Sequence, residues 1–306
     1  MAASLFATGR AYETFTSGPE TLVAKSPIIL VGRVAALSKR VVSTSTPAGP
    51  DAIPLKWIVT GRVDNPTALK GSSGSTMVNF SREEQSPFLP PARNGEEWEA
   101  EYGDFGEGDS VVLFGGPQHF PAKALPSGVG ERDLASLVRD IVSIETGTKG
   151  DRQRAWLTYL DDARFDESRK SALRALVQMP IEWKALAPAL DHFWDRASLS
   201  AGVRAFSFGI VVYGLTQERW KADQVSVADF LVRRFEAEEN PKLVLQYVLH
   251  LKLALKYSLQ GHEKGVLEPV PKRIADALRR REPIVSRMPD IAEQYRQIRA
   301  TYPGLI

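Results

Sequence analysis

The chain has 306 residues, of which 43% are hydrophobic and 25% are charged, and its net charge at neutral pH is +2. This length accommodates two ordinary domains, and the composition is typical of a globular protein. The absence of cysteine excludes disulfides, thiolate metal sites and cysteine nucleophiles, and the small net charge does not indicate a polyanionic partner. No apolar run in the sequence is long enough to cross a bilayer.

The first 125 residues predict a small antiparallel β-barrel. Short β-branched runs alternate there with stretches rich in Gly, Pro and Ser, the pattern of strands joined by turns. Strands are predicted at residues 26–37, 55–63, 76–80 and 108–115. Gly32 and Gly61 lie within two of these runs, which suits strongly curved strands. We therefore predict a barrel domain over residues 1–125.

From residue 126 onward the hydrophobic pattern changes to helical spacing. Leu134, Leu137 and Ile141 follow the three-and-four spacing of an amphipathic helix. Further helices are predicted from about 151, at 166–177, and at about 182–195, 199–214, 225–238, 241–258, 271–281 and 289–301. Asp166 and Asn240 are predicted N-caps. Consecutive helices with short connections predict an all-α domain of stacked helical hairpins over residues 126–306.

Three motifs of the first domain together resemble a known family. Pro27–Val34, Leu69–Gly71 and Phe105–Phe114 are similar to segments of exported bacterial proteins with an OB-fold-like barrel of the netrin / tissue-inhibitor-of-metalloproteinase type. The resemblance covers about a third of the chain and implies an OB-like fold and export. The animal inhibitors chelate metal through an N-terminal cysteine, which this chain lacks, so metalloproteinase inhibition is not implied.

The second domain is similar to HEAT-like repeats, chiefly over Asp166–Met179. Neither resemblance implies an activity. Met1–Gly9 lacks the basic and apolar segments of a signal peptide, so a cytoplasmic location stays open beside the implied export.

The sequence nominates no catalytic, cofactor-binding or metal-binding residue. It contains no Gly-x-Ser-x-Gly elbow and no His-Glu-x-x-His helix, and the glycine-rich Gly71–Ser75 lacks the ending of a phosphate loop. The four histidines, at positions 119, 192, 250 and 262, are scattered and are interpreted as ordinary polar residues. Trp156, Trp183, Trp194 and Trp220 are predicted to be core residues.

Two surfaces are candidates for contact with a partner. Residues 96–109 hold seven carboxylates and no Lys or Arg; a solvated loop is one interpretation, and an acidic surface anchored by Trp98 and Tyr102 is the other. A basic cluster at 272–281 ends in Arg279, Arg280 and Arg281. It is either a solvated helix face or a site for an acidic protein or a membrane surface.

Trp57, Phe80 and Trp98 raise the alternative of base stacking by the barrel. Charge disfavours it, because residues 1–125 contain 11 basic and 13 acidic residues. The sequence therefore predicts a non-enzymatic binding or scaffold protein with a protein partner and without a cofactor. An enzyme or enzyme inhibitor with a site at a groove between barrel and helices is the second hypothesis, and single-strand nucleic-acid binding is the third.

Overall fold

The computed structural model describes residues 18–44, 54–72, 74–85, 105–116, 119–127, 133–196, 199–259, 269–285, 287–304 and 306. The chain divides into two compact units, Met1–Ala155 and Trp156–Ile306. The strands belong to the first unit and end at Pro126, close to the predicted domain boundary, whereas the division between the units comes later, inside a helix at Lys149–Asp162.

Six strands in the described part of the first unit form one sheet, which closes into a five-stranded barrel. They are β1 (Ile28–Thr44), β2 (Pro54–Asp64), β3 (Thr67–Lys70), β4 (Met77–Gln85), β5 (Ser110–Gly116) and β6 (His119–Pro126). Hydrogen bonding follows the ring β1-β2-β4-β6-β5-β1, and the short β3 adds to β1. Apart from β3, this is the strand order of the OB fold, and it confirms the predicted OB-like barrel.

The barrel interior is filled by alternate side chains of the curved strands. Phe80 on β4 is almost fully buried among Val63, Leu113 and Leu30, and it packs edge-on against Phe105 with ring centroids 5.6 Å apart. A Cβ atom at residue 61 would lie 2.3 Å from the Phe80 ring, so only glycine lets β2 pass this side chain.

Two strands, the short β3 and the longer β6, were not predicted from the sequence. Strand β6 contains Pro121 and ends at Pro126, and proline removes a backbone donor, which argues against a paired strand. Its pairing partners are β5 along most of its length and β4 at one position, where Phe80 lies opposite Ala122. β6 therefore closes the barrel although its sequence does not resemble a strand.

Two helices accompany the barrel in the first unit. Helix α1 (Pro19–Lys25) packs against α2 (Leu134–Glu145), and α2 also contacts β3 and β5. Asp133 caps α2, because its carboxylate accepts a hydrogen bond from the Ser136 backbone N–H at 2.9 Å.

The remaining helices follow one another in the chain as four consecutive pairs, which we call hairpins. They are α3 (Lys149–Asp162) with α4 (Asp166–Gln178), α5 (Trp183–Trp194) with α6 (Ala201–Thr216), α7 (Gln224–Ala237) with α8 (Pro241–Ser258), and α9 (Pro269–Val285) with α10 (Pro289–Thr301). The even-numbered helices α4, α6, α8 and α10 pack in series, and α7 packs against α9 in the other layer. This two-layered stack confirms the predicted HEAT-like array.

Of the two predicted N-cap residues, Asn240 caps its helix and Asp166 does not. The Asn240 side chain accepts a hydrogen bond from the Lys242 N–H at 3.0 Å, as expected of an N-cap. Asp166 is instead the first residue of α4, and Phe165 occupies the cap position. The Asp166 carboxylate accepts a hydrogen bond from Ser200 of the next hairpin, so it joins two hairpins.

Aromatic side chains fill the core between the two layers. The four tryptophans predicted to be core residues are 9% exposed or less. Trp183 contacts Trp220 and Phe230 with ring centroids 5.0 and 5.5 Å apart, and Tyr247 stacks on Phe208 at 4.0 Å. These contacts hold successive hairpins together.

Candidate interaction surface

The layer formed by α5, α7 and α9 is crossed by ion pairs between neighbouring hairpins. Asp191 on α5 pairs with Arg233 and Arg234 on α7. The same arrangement is found between α7 and α9, where Asp229 and Glu236 on α7 pair with Arg273 and Arg280 on α9 at 2.6 and 2.7 Å. An acid on one hairpin thus meets a base on the following one, and these four arginines are neutralised within the stack.

The predicted basic cluster lies largely within this system. Arg279 pairs with Asp276 at 2.8 Å, and Arg280 pairs with Glu236. Arg281 donates hydrogen bonds to the backbone carbonyls of Glu236 and Glu238. Arg280 and Arg281 therefore help to attach α9 to the end of α7, whereas the pair of Arg279 lies within α9. Trp98 and Tyr102, the other predicted contact residues, lie outside the described residues.

A different basic surface runs along helix α8. Lys242, Leu245, Leu249, Lys252 and Lys256 are spaced by three or four residues, so they form one straight stripe on the helix. We call these five residues the α8 stripe. The opposite side of the helix, including Val244, Tyr247 and Leu251, is buried, whereas Leu249 is 41% exposed.

The lysines of the α8 stripe differ from the arginines of the other layer in their partners. Among the described residues none of the three forms an ion pair with a carboxylate. Helices α6 and α8, which pack side by side, contain no Asp or Glu at all. Lys252 is held by amides, because its Nζ donates to Oε1 of Gln297 at 2.7 Å and to Oε1 of Gln294 at 3.4 Å.

The environment of Lys252 disfavours its charge. Partial burial lowers the pKa of Lys252, and the nearby Glu293 opposes this shift. A carboxylate brought to the stripe would relieve the cost of burying this ammonium. The α8 stripe is thus a row of cations that form no ion pair in the described structure, with an exposed Leu249 and a half-buried Leu245 between them.

The α8 stripe was not predicted from the sequence, because its lysines are separated by many apolar residues. The signal is present: five positions with coiled-coil spacing, in an 18-residue helix without any acid. The clustered arginines at 279–281 were more conspicuous, but a charge run does not show which cations are paired.

The histidines are dispersed in the described structure. His192 is exposed and lies 3.3 Å from Asp161, whereas His250 is on the partly buried side of α8, and burial lowers its pKa to about 4. No group of three possible metal ligands occurs among the described residues. Nor does any helix in the described ranges have the length and apolarity to cross a membrane.

The barrel offers little for base stacking in its described part. Phe80 is 1% exposed and belongs to the core. Trp57 is half-buried and has the Lys39 ammonium 4.4 Å from its ring, and Trp98 lies outside the described residues.

No family model, curated protein or solved structure matches this chain.

Proposed function

We propose that this protein is a non-enzymatic binding protein whose helical unit docks an acidic, amphipathic segment of another protein on the α8 stripe. The observation that supports this proposal is the contrast in charge pairing. Arg233, Arg234, Arg273 and Arg280 pair with carboxylates of a neighbouring hairpin, whereas Lys242, Lys252 and Lys256 form no ion pair in the described structure.

The order of residues along the stripe favours a helical partner. From Lys242 to Lys256 the stripe is about 21 Å long, the length of a helix of about 15 residues. Leu245 and Leu249 occupy its centre and provide apolar contact area, while the lysines lie toward its ends. Acidic residues flanking an apolar centre would complement it, as in other complexes where a helix packs against a helical surface.

The leucines also favour a protein over a nucleic acid. Phosphates would neutralise the lysines, but an exposed aliphatic side chain such as Leu249 gains nothing from a phosphate backbone. A partner that covers Leu249 with apolar side chains removes this area from water.

The test is selection of displayed random peptides of about 16 residues on the full chain. We expect enrichment of peptides with acidic residues around apolar ones at helical spacing. Synthetic copies should bind the K242E/K252E/K256E variant about tenfold to a hundredfold more weakly, because three cation–carboxylate contacts are reversed. The matched control is K184E/K272E/R287E, which changes net charge equally at exposed positions away from the stripe.

Selected peptides without an acidic bias, or equal binding by the two triple variants, would refute the proposal. Single-stranded DNA and vesicles containing phosphatidylserine serve as competing probes. If one of them binds the wild type and the stripe variant loses that binding while peptides do not compete, the stripe recognises that polyanion instead of a protein.

A further inference from the structure

A cavity of about 300 Å³ lies where α6 and α8 end and α7 and α9 begin. It is separate from the α8 stripe in function, although α8 contributes its last turn. Its walls include Leu215, Glu218, Lys221, Ala254 and Val270. The volume is at the lower end of the range for ligand pockets, which suits a small molecule.

The turn that follows α6 builds one side of this cavity. The Arg219 N–H donates to the Gly214 carbonyl and the Glu218 N–H to the Leu215 carbonyl, which is the Schellman pattern of a helix end. Glu218 occupies the position that usually holds glycine, and its φ of 51° lies in the left-handed region. The sequence keeps a carboxylate here at a cost in backbone strain, and such strain is concentrated at functional sites.

Trp220 fixes this turn to the core. Its indole N–H donates to the Ile181 carbonyl at 3.1 Å, and the side chain is only 4% exposed. A Cβ at residue 214 would lie 2.3 Å from the indole, so Gly214 is required for this close packing. Glu218 and Lys221, on either side of Trp220, are therefore presented from a well-anchored segment.

The cavity combines a charged mouth with an apolar floor. Glu218 and Lys221 form an ion pair at 3.2 Å with both side chains largely exposed. Leu215, Ala254 and Val270 are each less than a tenth exposed and lie beneath them. An exposed ion pair of this kind contributes little to stability, so a ligand can replace it at low cost.

We propose that this cavity binds a small zwitterion with an apolar side chain, the chemistry of a free α-amino acid. The ligand's ammonium group is placed at the Glu218 carboxylate, and the ligand's carboxylate is placed at the Lys221 ammonium. Each charge of the protein's ion pair thus gains a partner on the ligand. The side chain lies over Leu215 and Val270. A ligand of this size binds with a Kd of about 1 mM.

The experiment is titration of the full chain with L-leucine and L-phenylalanine, followed by NMR. We expect saturable shifts of cavity residues. The single-charge analogues 3-methylbutylamine and 4-methylpentanoate should bind about threefold to fivefold more weakly, because one half of the charge pairing, at exposed side chains, is lost. The E218Q/K221M variant should lose amino acid binding to a similar extent.

Controls separate loss of binding from loss of fold. E182Q removes another exposed ion pair, Glu182 with Lys184, and should bind as the wild type does. E218G should raise the urea midpoint, because glycine relieves the left-handed strain, and should still lose binding. Equal affinity for the analogues, unchanged binding by E218Q/K221M, or no saturable shift up to about 20 mM of either amino acid would overturn the proposal.

Discussion

Acidification is expected to destabilise this protein through His250. The imidazole is on α8, with its ring centroid 6.3 Å from that of Phe208 in the aromatic core. Burial lowers its pKa from 6.5 to about 4, because the charged form is poorly solvated there. Lowering the pH from above 6.5 toward 4 should therefore reveal the effect of His250 on stability.

The sign follows from proton binding in the two states. Between these pKa values the unfolded chain carries a proton on His250 and the folded chain does not, so the free energy of unfolding decreases as the pH falls. This pKa shift of His250 lowers the free energy of unfolding by about 2 kcal/mol at pH 5 and by about 3 kcal/mol below pH 4. Some of the surface of His250 stays accessible, which makes these values upper limits.

Urea unfolding of wild type and His250→Gln at about pH 7.5 and pH 5 measures this effect. The wild type should lose up to about 2 kcal/mol more than the variant between the two conditions. His192→Gln, which removes an exposed imidazole, is the matched control, and the loss assigned to His250 should persist in it. The prediction is wrong if wild type and His250→Gln lose the same free energy of unfolding between the two pH values, or if NMR gives His250 a pKa near 6.5.

Two further substitutions test the packing of each unit by urea unfolding. Gly61→Ala places a Cβ 2.3 Å from Phe80 and 2.8 Å from the Ala36 carbonyl oxygen, and should destabilise the barrel by about 2–3 kcal/mol; an unchanged midpoint would contradict the described β2–β4 packing. Glu238→Ala removes a buried carboxylate that pairs with Arg204 at 3.2 Å, and should cost about 3 kcal/mol. A loss below about 1 kcal/mol would show that this pair is not buried as described.

Helix caps and apolar spacing, which are signals within a short stretch of sequence, predicted the elements that are stabilised by contacts within that stretch. The boundaries of α8 were predicted correctly, because Asn240 and Pro241 mark a helix start and the apolar spacing continues to residue 258. Strand β6 was missed, because its pairing is decided by β4 and β5 and its own prolines argue against it. The repeat length was also not visible, since successive hairpins begin at residues 149, 183, 224 and 269.

Hydrophobic periodicity was enough to predict that a β-barrel precedes a stack of helices, because it reports which face of each element is buried. Which charges are available for a partner depends on how the helices pack. Arg280 and Lys252 look alike in the sequence, yet the first meets Glu236 on the preceding hairpin and the second meets two glutamines. The cavity beside Glu218 likewise joins the ends of α6 and α8 to the start of α9. Such neighbours lie on different helices, and their proximity depends on how the hairpins pack rather than on local propensity.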